Sequence, residues 1–294
     1  MGHHHHHVTH GKAFAIGIGL NVIFVVIEVS YGWISNSSAL LADAGHNFSD
    51  VFSLIFAWSA AWMAVKQPSK RFTYGLRKTT ILVSVLNALL LFGASGAILY
   101  HAIVQLQRGD AVQGETIIWV ATVGILINTI TALMFLKGQK NDLNIRGAFI
   151  HMAADAAVSL GVVVAGLLVK YTGLYWIDPI TSFVIVLVII WSTWKLFKDS
   201  LKLALDAVPK GIDLQEVRDF LEKQEGVKDV HDLHIWAMST TTNALTVHLV
   251  MPEGNSDKFL FYLREKLSEK FGIGHSTIQV EKAFFDESCN PHCA

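Results

Sequence analysis

Long apolar blocks separated by short polar connections fill the first two-thirds of the chain, and each block approaches the roughly 20 residues a helix needs to cross a bilayer. Six blocks are read as spans, at 13–34, 39–65, 79–105, 116–136, 147–169 and 178–198. An even number puts both termini on one side. Lys66, Lys70, Arg71, Arg77 and Lys78 lie between spans 2 and 3, and Lys137, Lys140 and Arg146 between spans 4 and 5; Lys195, Lys198 and Lys202 follow span 6. The opposite connections hold only Arg108 and Lys170, so positive charge places the termini in the cytoplasm and the loop Tyr31 to Ser38 outside.

After about residue 205 charged and apolar residues interleave, with Pro209 and Gly211 at the joint, and a separate cytoplasmic domain is predicted. Asp213 caps a helix to about Gln224, with Leu214, Val217, Phe220 and Leu221 at helical spacing and Gly226 ending it. Val227 to Met238 and Thr242 to Met251 are rich in β-branched and aromatic residues and form a hairpin about Ser239 to Thr241. Phe259, Leu260, Leu263 and Leu267 mark a second helix, and Ser276 to Val280 a last strand. The order αββαβ implies a two-layer α+β sandwich. The chain divides into a His-rich tail (1–12), an α-helical transmembrane domain (13–205), the cytoplasmic domain (206–283) and a Cys/His tail (284–294).

Composition agrees with this reading. The 294 residues are 52% hydrophobic and 16% charged, which a water-soluble domain rarely shows. With 23 basic against 24 acidic residues there is no basic field to hold nucleic acid. Both cysteines, Cys289 and Cys293, fall in the last six residues, which excludes a disulfide framework for the body. The first apolar block reads as a retained span, not a cleaved signal.

Ionisable groups inside spans are costly and mark function by default. His46 and Asp50 stand four apart in span 2, on one helix face, and His151 and Asp155 repeat that spacing in span 5. Facing each other they offer two imidazoles and two carboxylates, a tetrahedral set suited to Zn²⁺; Mg²⁺ or Ca²⁺ would want more oxygens. The alternative is direct hydrogen bonding between the pairs as interhelical glue. A ligand must lose its proton to take the metal, so zinc and protons compete for one site. Glu28 and Asp43 read as packing or interfacial residues, Asn87 and Asn128 as interhelical donors or partners behind the ligands, and His101 as interfacial.

These residues resemble the cation diffusion facilitator family of metal/proton antiporters, in particular its bacterial zinc-efflux branch. The likeness runs through Leu40-Leu-Ala-Asp-Ala-Gly-His-Asn-Phe-Ser-Asp50, Phe72-Thr-Tyr-Gly75, Asp142-Leu-Asn-Ile-Arg-Gly-Ala148, the His151/Asp155 pair, Asp178-Pro-Ile180 and His231-Asp-Leu-His-Ile-Trp236. The resemblance implies a homodimer in the bacterial inner membrane. It also implies a transport site between spans 2 and 5, alternating access, and a ferredoxin-like, metallochaperone-like C-terminal domain. The His/Asp quartet is similar to the zinc-preferring form, with Cd²⁺ and other divalent transition metals as further cargo.

Relatives carry a regulatory zinc at the positions of His231, His248, His275 and Glu281; Gln279 stands where some have another histidine. The second site that others hold between spans 2 and 3 should be missing, because Trp62 to Lys78 contains no Asp, Glu, His or Cys. Arg77 or Lys78 with Asp206 are candidates for a Lys-to-Asp pair that locks the dimer in some relatives. Cys289 and Cys293, with His292 between, offer a further chelate. The His3 to His7 run is either a purification tag or a native metal-gathering terminus, and the flanking Val8-Thr-His10 favours the latter.

Three function classes compete. A secondary transporter takes cytoplasmic Zn²⁺ into the quartet and releases it outside to protons, with no organic cofactor and no P-loop. An intramembrane zinc enzyme would keep an open ligand position and a general base, yet the quartet is full, HExxH is missing and no nucleophile accompanies it. A metal sensor does not explain ligands at mid-membrane. Transport is the expected function, with no enzymatic activity, and its partners are Zn²⁺, H⁺, lipid and a second copy of the chain.

Overall fold

The computed structural model describes residues 11–64, 66–135 and 143–283; within them the side chains of 11–18, 50, 53–54, 56–61, 64, 134–135, 143–148 and 150–151 lie outside the description. The His-rich tail and the Cys289/Cys293 tail also fall outside it. The long helices are α1 (Gly11–Ile34), α2 (Ser38–Ala64), α3 (Thr79–Arg108), α4 (Gly114–Phe135), α5 (Leu143–Thr172) and α6 (Ile177–Ala204). Each overlaps one expected span. Among the described residues, Thr79–Arg108, Gly114–Leu133, Met152–Thr172 and Ile177–Ala204 are long and apolar enough to cross a membrane, and α1 offers the shorter stretch Gly19–Ile34. The described chain forms two compact units, one of residues up to Ile55 with Asn87–Lys195, the other of Phe56–Leu86 with the residues from Leu196 onward.

In the first unit, helices approach through small residues, as expected where lipid and side chains are equally apolar. A Cβ on Gly114 would lie 2.8 Å from the Gly166 carbonyl, and one on Gly166 would lie 3.2 Å from the Gly114 carbonyl, so α4 and α5 touch backbone to backbone there. Gly124 of α4 leaves room for the Phe24 ring of α1. Phe24, Leu40, Ile117, Val162 and Val186 are buried in the shared core. The expected outer loop shrinks to the three residues between α1 and α2, where Asn36 takes φ 52° and Ser37 N bonds Gly32 O at 2.9 Å.

The second unit contains α7 (Leu214–Glu222), β1 (Asp229–Ala237), β2 (Asn243–Val250), α8 (Asp257–Phe271) and β3 (Ile273–Glu281), the αββαβ order expected. Asp213 caps α7, accepting from Gln215 N at 2.8 Å and Glu216 N at 3.3 Å. Ser256 caps α8, which ends at Gly272 in the left-handed region (φ 66°), a conformation that favours glycine. The sheet order is β1-β2-β3, with β1 antiparallel and β3 parallel to β2. Val217, Leu221, Leu245, Leu249, Leu263 and Leu267 form the core between helices and sheet. The opposite face is left for histidines and carboxylates.

Candidate metal centre

His46 sits two turns into α2; the preceding residue, Gly45, meets α3, where an added Cβ would lie 2.8 Å from Ile98. Its Nε2 stands 3.1 Å from Asp155 Oδ1 on α5. The His46 side chain is 24% exposed and that of Asp155 only 2%, so one ring edge reaches open space while the carboxylate is enclosed. Asp50 follows His46 by one turn of α2, and His151 precedes Asp155 by one turn of α5. The side chains of Asp50 and His151 lie outside the described residues. A hollow of about 200 Å³ beside His46 is lined almost entirely by apolar residues of α5 and α6, among them Val158, Gly161, Val184 and Val188.

Further buried polar groups of the same helices lie around the pair. Ser159, one turn beyond Asp155, donates to Asp43 Oδ2 at 3.0 Å, and Asn47, next to His46, donates to Glu28 Oε2 at 2.9 Å. Glu28 and Asp43 are both fully buried. Both therefore fill the hydrogen-bonded packing role, one of the two expected for them. Asn128 is also buried, with neither amide atom hydrogen-bonded among the described residues. Asn47 and Ser159 escaped the sequence reading, although each lies four residues beyond an ionisable residue of its own helix, Asp43 and Asp155, and that spacing was the signal that would have found them.

At the other end of α2, Asp178 in the first turn of α6 accepts from Ser37 Oγ at 2.6 Å, Ser38 N at 2.7 Å, Ala39 N at 3.3 Å and Gln105 Nε2 at 3.1 Å. The carboxylate sits on the N-terminus of α2, where unpaired N–H groups favour negative charge.

In the second unit, His231 on β1 and His248 on β2 are direct cross-strand partners. Their rings lie 5.2 Å apart at 81°. Glu281 closes the group, 3.4 Å from His231 Nε2 and 3.0 Å from His248 Nδ1. One ligand atom from each residue lies within 4.8 Å of the others, an N₂O set that fits a divalent transition metal with a position to spare. Gln279 donates to Glu281 Oε1 at 2.8 Å. His275 is not in this group: the register of β3 sets it against Ala244, and its ring centroid lies 5.6 Å from that of Tyr74, the two rings nearly perpendicular. His234 bonds Asp232 at 2.9 Å. Of the two basic candidates for Asp206, Lys78 makes the pair, its Nζ 2.8 Å from Asp206 Oδ1 within the same chain.

Comparison with known proteins places both parts of the chain. Residues 14–203 match the cation efflux transmembrane domain, and residues 209–283 the cytoplasmic domain of cation efflux proteins. A cadmium, cobalt and zinc/H(+)-K(+) antiporter of Bacillus velezensis is 34% identical over 96% of this chain and 93% of its own length. The metal cation efflux system protein CzcD of Cupriavidus metallidurans is 35% identical over 96% of this chain and 90% of its own. The zinc transporter ZitB of Escherichia coli is 31% identical over 96% and 93%. With both parts of the chain matched and the likeness running nearly end to end, this integral membrane protein belongs to the cation efflux, or cation diffusion facilitator, family.

Proposed function

We propose that the chain exports Zn²⁺, and with it Cd²⁺ and other divalent transition metals, from the cytoplasm in exchange for protons, at a site formed by His46, Asp50, His151 and Asp155. The observation that carries this reading is the 3.1 Å contact between His46 Nε2 and Asp155 Oδ1, which joins one member of each HxxxD pair across α2 and α5. The HxxxD spacing repeated in α2 and α5 supplies Asp50 and His151 as the two further donors that a tetrahedral ion needs. Metal can enter only as protons leave the ligands, and protons arriving from the far side displace it. Relatives named as a metal/H⁺ antiporter, an efflux protein and a zinc transporter support both cargo and exchange.

The rest of the proposal follows the family. The protein works as a carrier without catalytic chemistry, as a homodimer in a bacterial inner membrane with both termini cytoplasmic. Its transmembrane part ends near residue 205, and the 206–283 domain takes a regulatory zinc at His231, His248 and Glu281. When bound, that ion supplies a cross-link between the three strands; it takes no part in the exchange itself.

A bacterial host stripped of its own zinc exporters tests the quartet. Wild type should restore growth on millimolar-range zinc and lower cell zinc, whereas Asp50→Ala and His151→Ala, at equal membrane levels, should do neither. Full protection by either variant would remove that residue from the site.

A further inference from the structure

The cytoplasmic histidines reach their carboxylates through a local departure from regular strand geometry. Val230, Leu233, Ile235 and Ala237 of β1 are buried, so the alternation slips by one residue between Val230 and Leu233. The pairing with β2 is irregular at the same place, between His231 and His234. Asp232 is the extra residue of this bulge and takes φ 50°, a left-handed conformation that a residue with a Cβ adopts at a cost, though Asp and Asn less so than most. The slip puts His231 and His234 on the same outer face and turns the Asp232 carboxylate toward that face. Its Oδ1 is 2.9 Å from His234 Nε2, and its Oδ2 is 3.5 Å from His248 Nε2.

His248 is thereby flanked on both ring nitrogens, with Glu281 3.0 Å from Nδ1 and Asp232 on Nε2. Nδ1 is the nitrogen on the side of Glu281, which also stands 3.4 Å from His231 Nε2. A neutral imidazole has one N–H and one lone pair, so a metal on Nδ1 requires the proton on Nε2, pointing at Asp232. A carboxylate there fixes that tautomer and raises the basicity of the ligating nitrogen. Asp232 is not itself a ligand of the same ion, because one imidazole cannot turn both nitrogens toward it. His231 repeats the arrangement more loosely: Asp229 Oδ2 stands 3.7 Å from its Nδ1 and is half exposed.

We propose that Asp232 is the positioning residue of the cytoplasmic site, holding His248 so that Nδ1, together with His231 Nε2 and the Glu281 carboxylate, binds a divalent transition metal. This rests on the reading of the three-residue group as a metal site. The test uses full-length protein in detergent, in an Asp155→Ala background that disables the transport site. Zinc affinity is measured by chelator competition, and Co²⁺ absorption reports the ligand set. Asp232→Asn and Asp232→Gly should each weaken zinc at this site by about 10- to 100-fold, with the Co²⁺ spectrum at saturation unchanged because the ligands remain. Glycine tolerates the left-handed backbone, so that variant keeps the bulge while losing the carboxylate. Wild-type affinity in either Asp232 variant, while Glu281→Ala loses binding, overturns the role of Asp232 and leaves the metal site standing. If the Asp155→Ala protein takes up no zinc at all, the metal site and the positioning role fall together.

Discussion

Asp178 is a fully buried carboxylate whose cost is offset by hydrogen bonds from four residues, Ser37, Ser38, Ala39 and Gln105, including two backbone N–H groups at the start of α2. Asp178→Ala would leave all four without their acceptor, and the expected loss is about 3 kcal/mol or more. It would be read as a lower melting temperature of the detergent-solubilised protein. Asp178→Asn, which still offers one carbonyl oxygen, should lose less; an alanine variant as stable as wild type would contradict the clamp. Nothing local in the sequence joined these groups, because Ser37 lies 141 residues and Gln105 73 residues from Asp178. His46 and Asp155 were legible for the opposite reason: each belongs to a pair set by one turn of helix, and polar pairs stand out in apolar spans. Glu28 and Asp43 were harder to place, since burial is decided by which helices pack, and a single span does not say.

Helix and strand limits were the most readable feature, because hydrophobic length fixes a span and capping residues fix ends. Asp213 caps α7 as expected, while the helix stops at Glu222, ahead of Gly226, and Gly272 ends α8 without having been singled out in the sequence. The bulge in β1 was not readable: Val227 to Met238 looked like one strand, and only pairing with β2 reveals that Asp232 is surplus. Likewise the family resemblance grouped His275 with His231 and His248, but strand register sets its neighbours, and β3 places it opposite Ala244. The α4 and α5 contact makes a prediction of its own. A side chain at position 114 would enter the space of the Gly166 carbonyl and the Lys170 N–H, 2.8 and 3.0 Å from a Cβ. Gly114→Val must therefore push α5 away, with overpacking typically costing about 1–3 kcal/mol. Lower thermal stability in detergent would follow, while an unchanged melting temperature would mean that the two backbones do not meet there.

In the proposed cycle the spans and the cytoplasmic domain have different tasks: the quartet must open to two sides, and a metal at the His231, His248 and Glu281 group would bias that equilibrium only if its affinity differs between the two states. The Lys78 to Asp206 pair is about half exposed on both sides, and such a pair contributes at most about 1 kcal/mol. It is therefore suited to a contact that can be made and broken, and unsuited to holding the fold together. The exchange of zinc for protons at the quartet is tested most directly in proteoliposomes of purified protein, loaded with a zinc-sensitive dye and given a proton gradient, acid inside. Wild type should accumulate zinc and release protons outward in step, with uptake collapsing when the gradient is dissipated, and Asp155→Ala should do neither, having lost both a ligand and a proton acceptor. Zinc movement that ignores the gradient, or an Asp155→Ala protein that exchanges as wild type does, would contradict proton-coupled transport at this site.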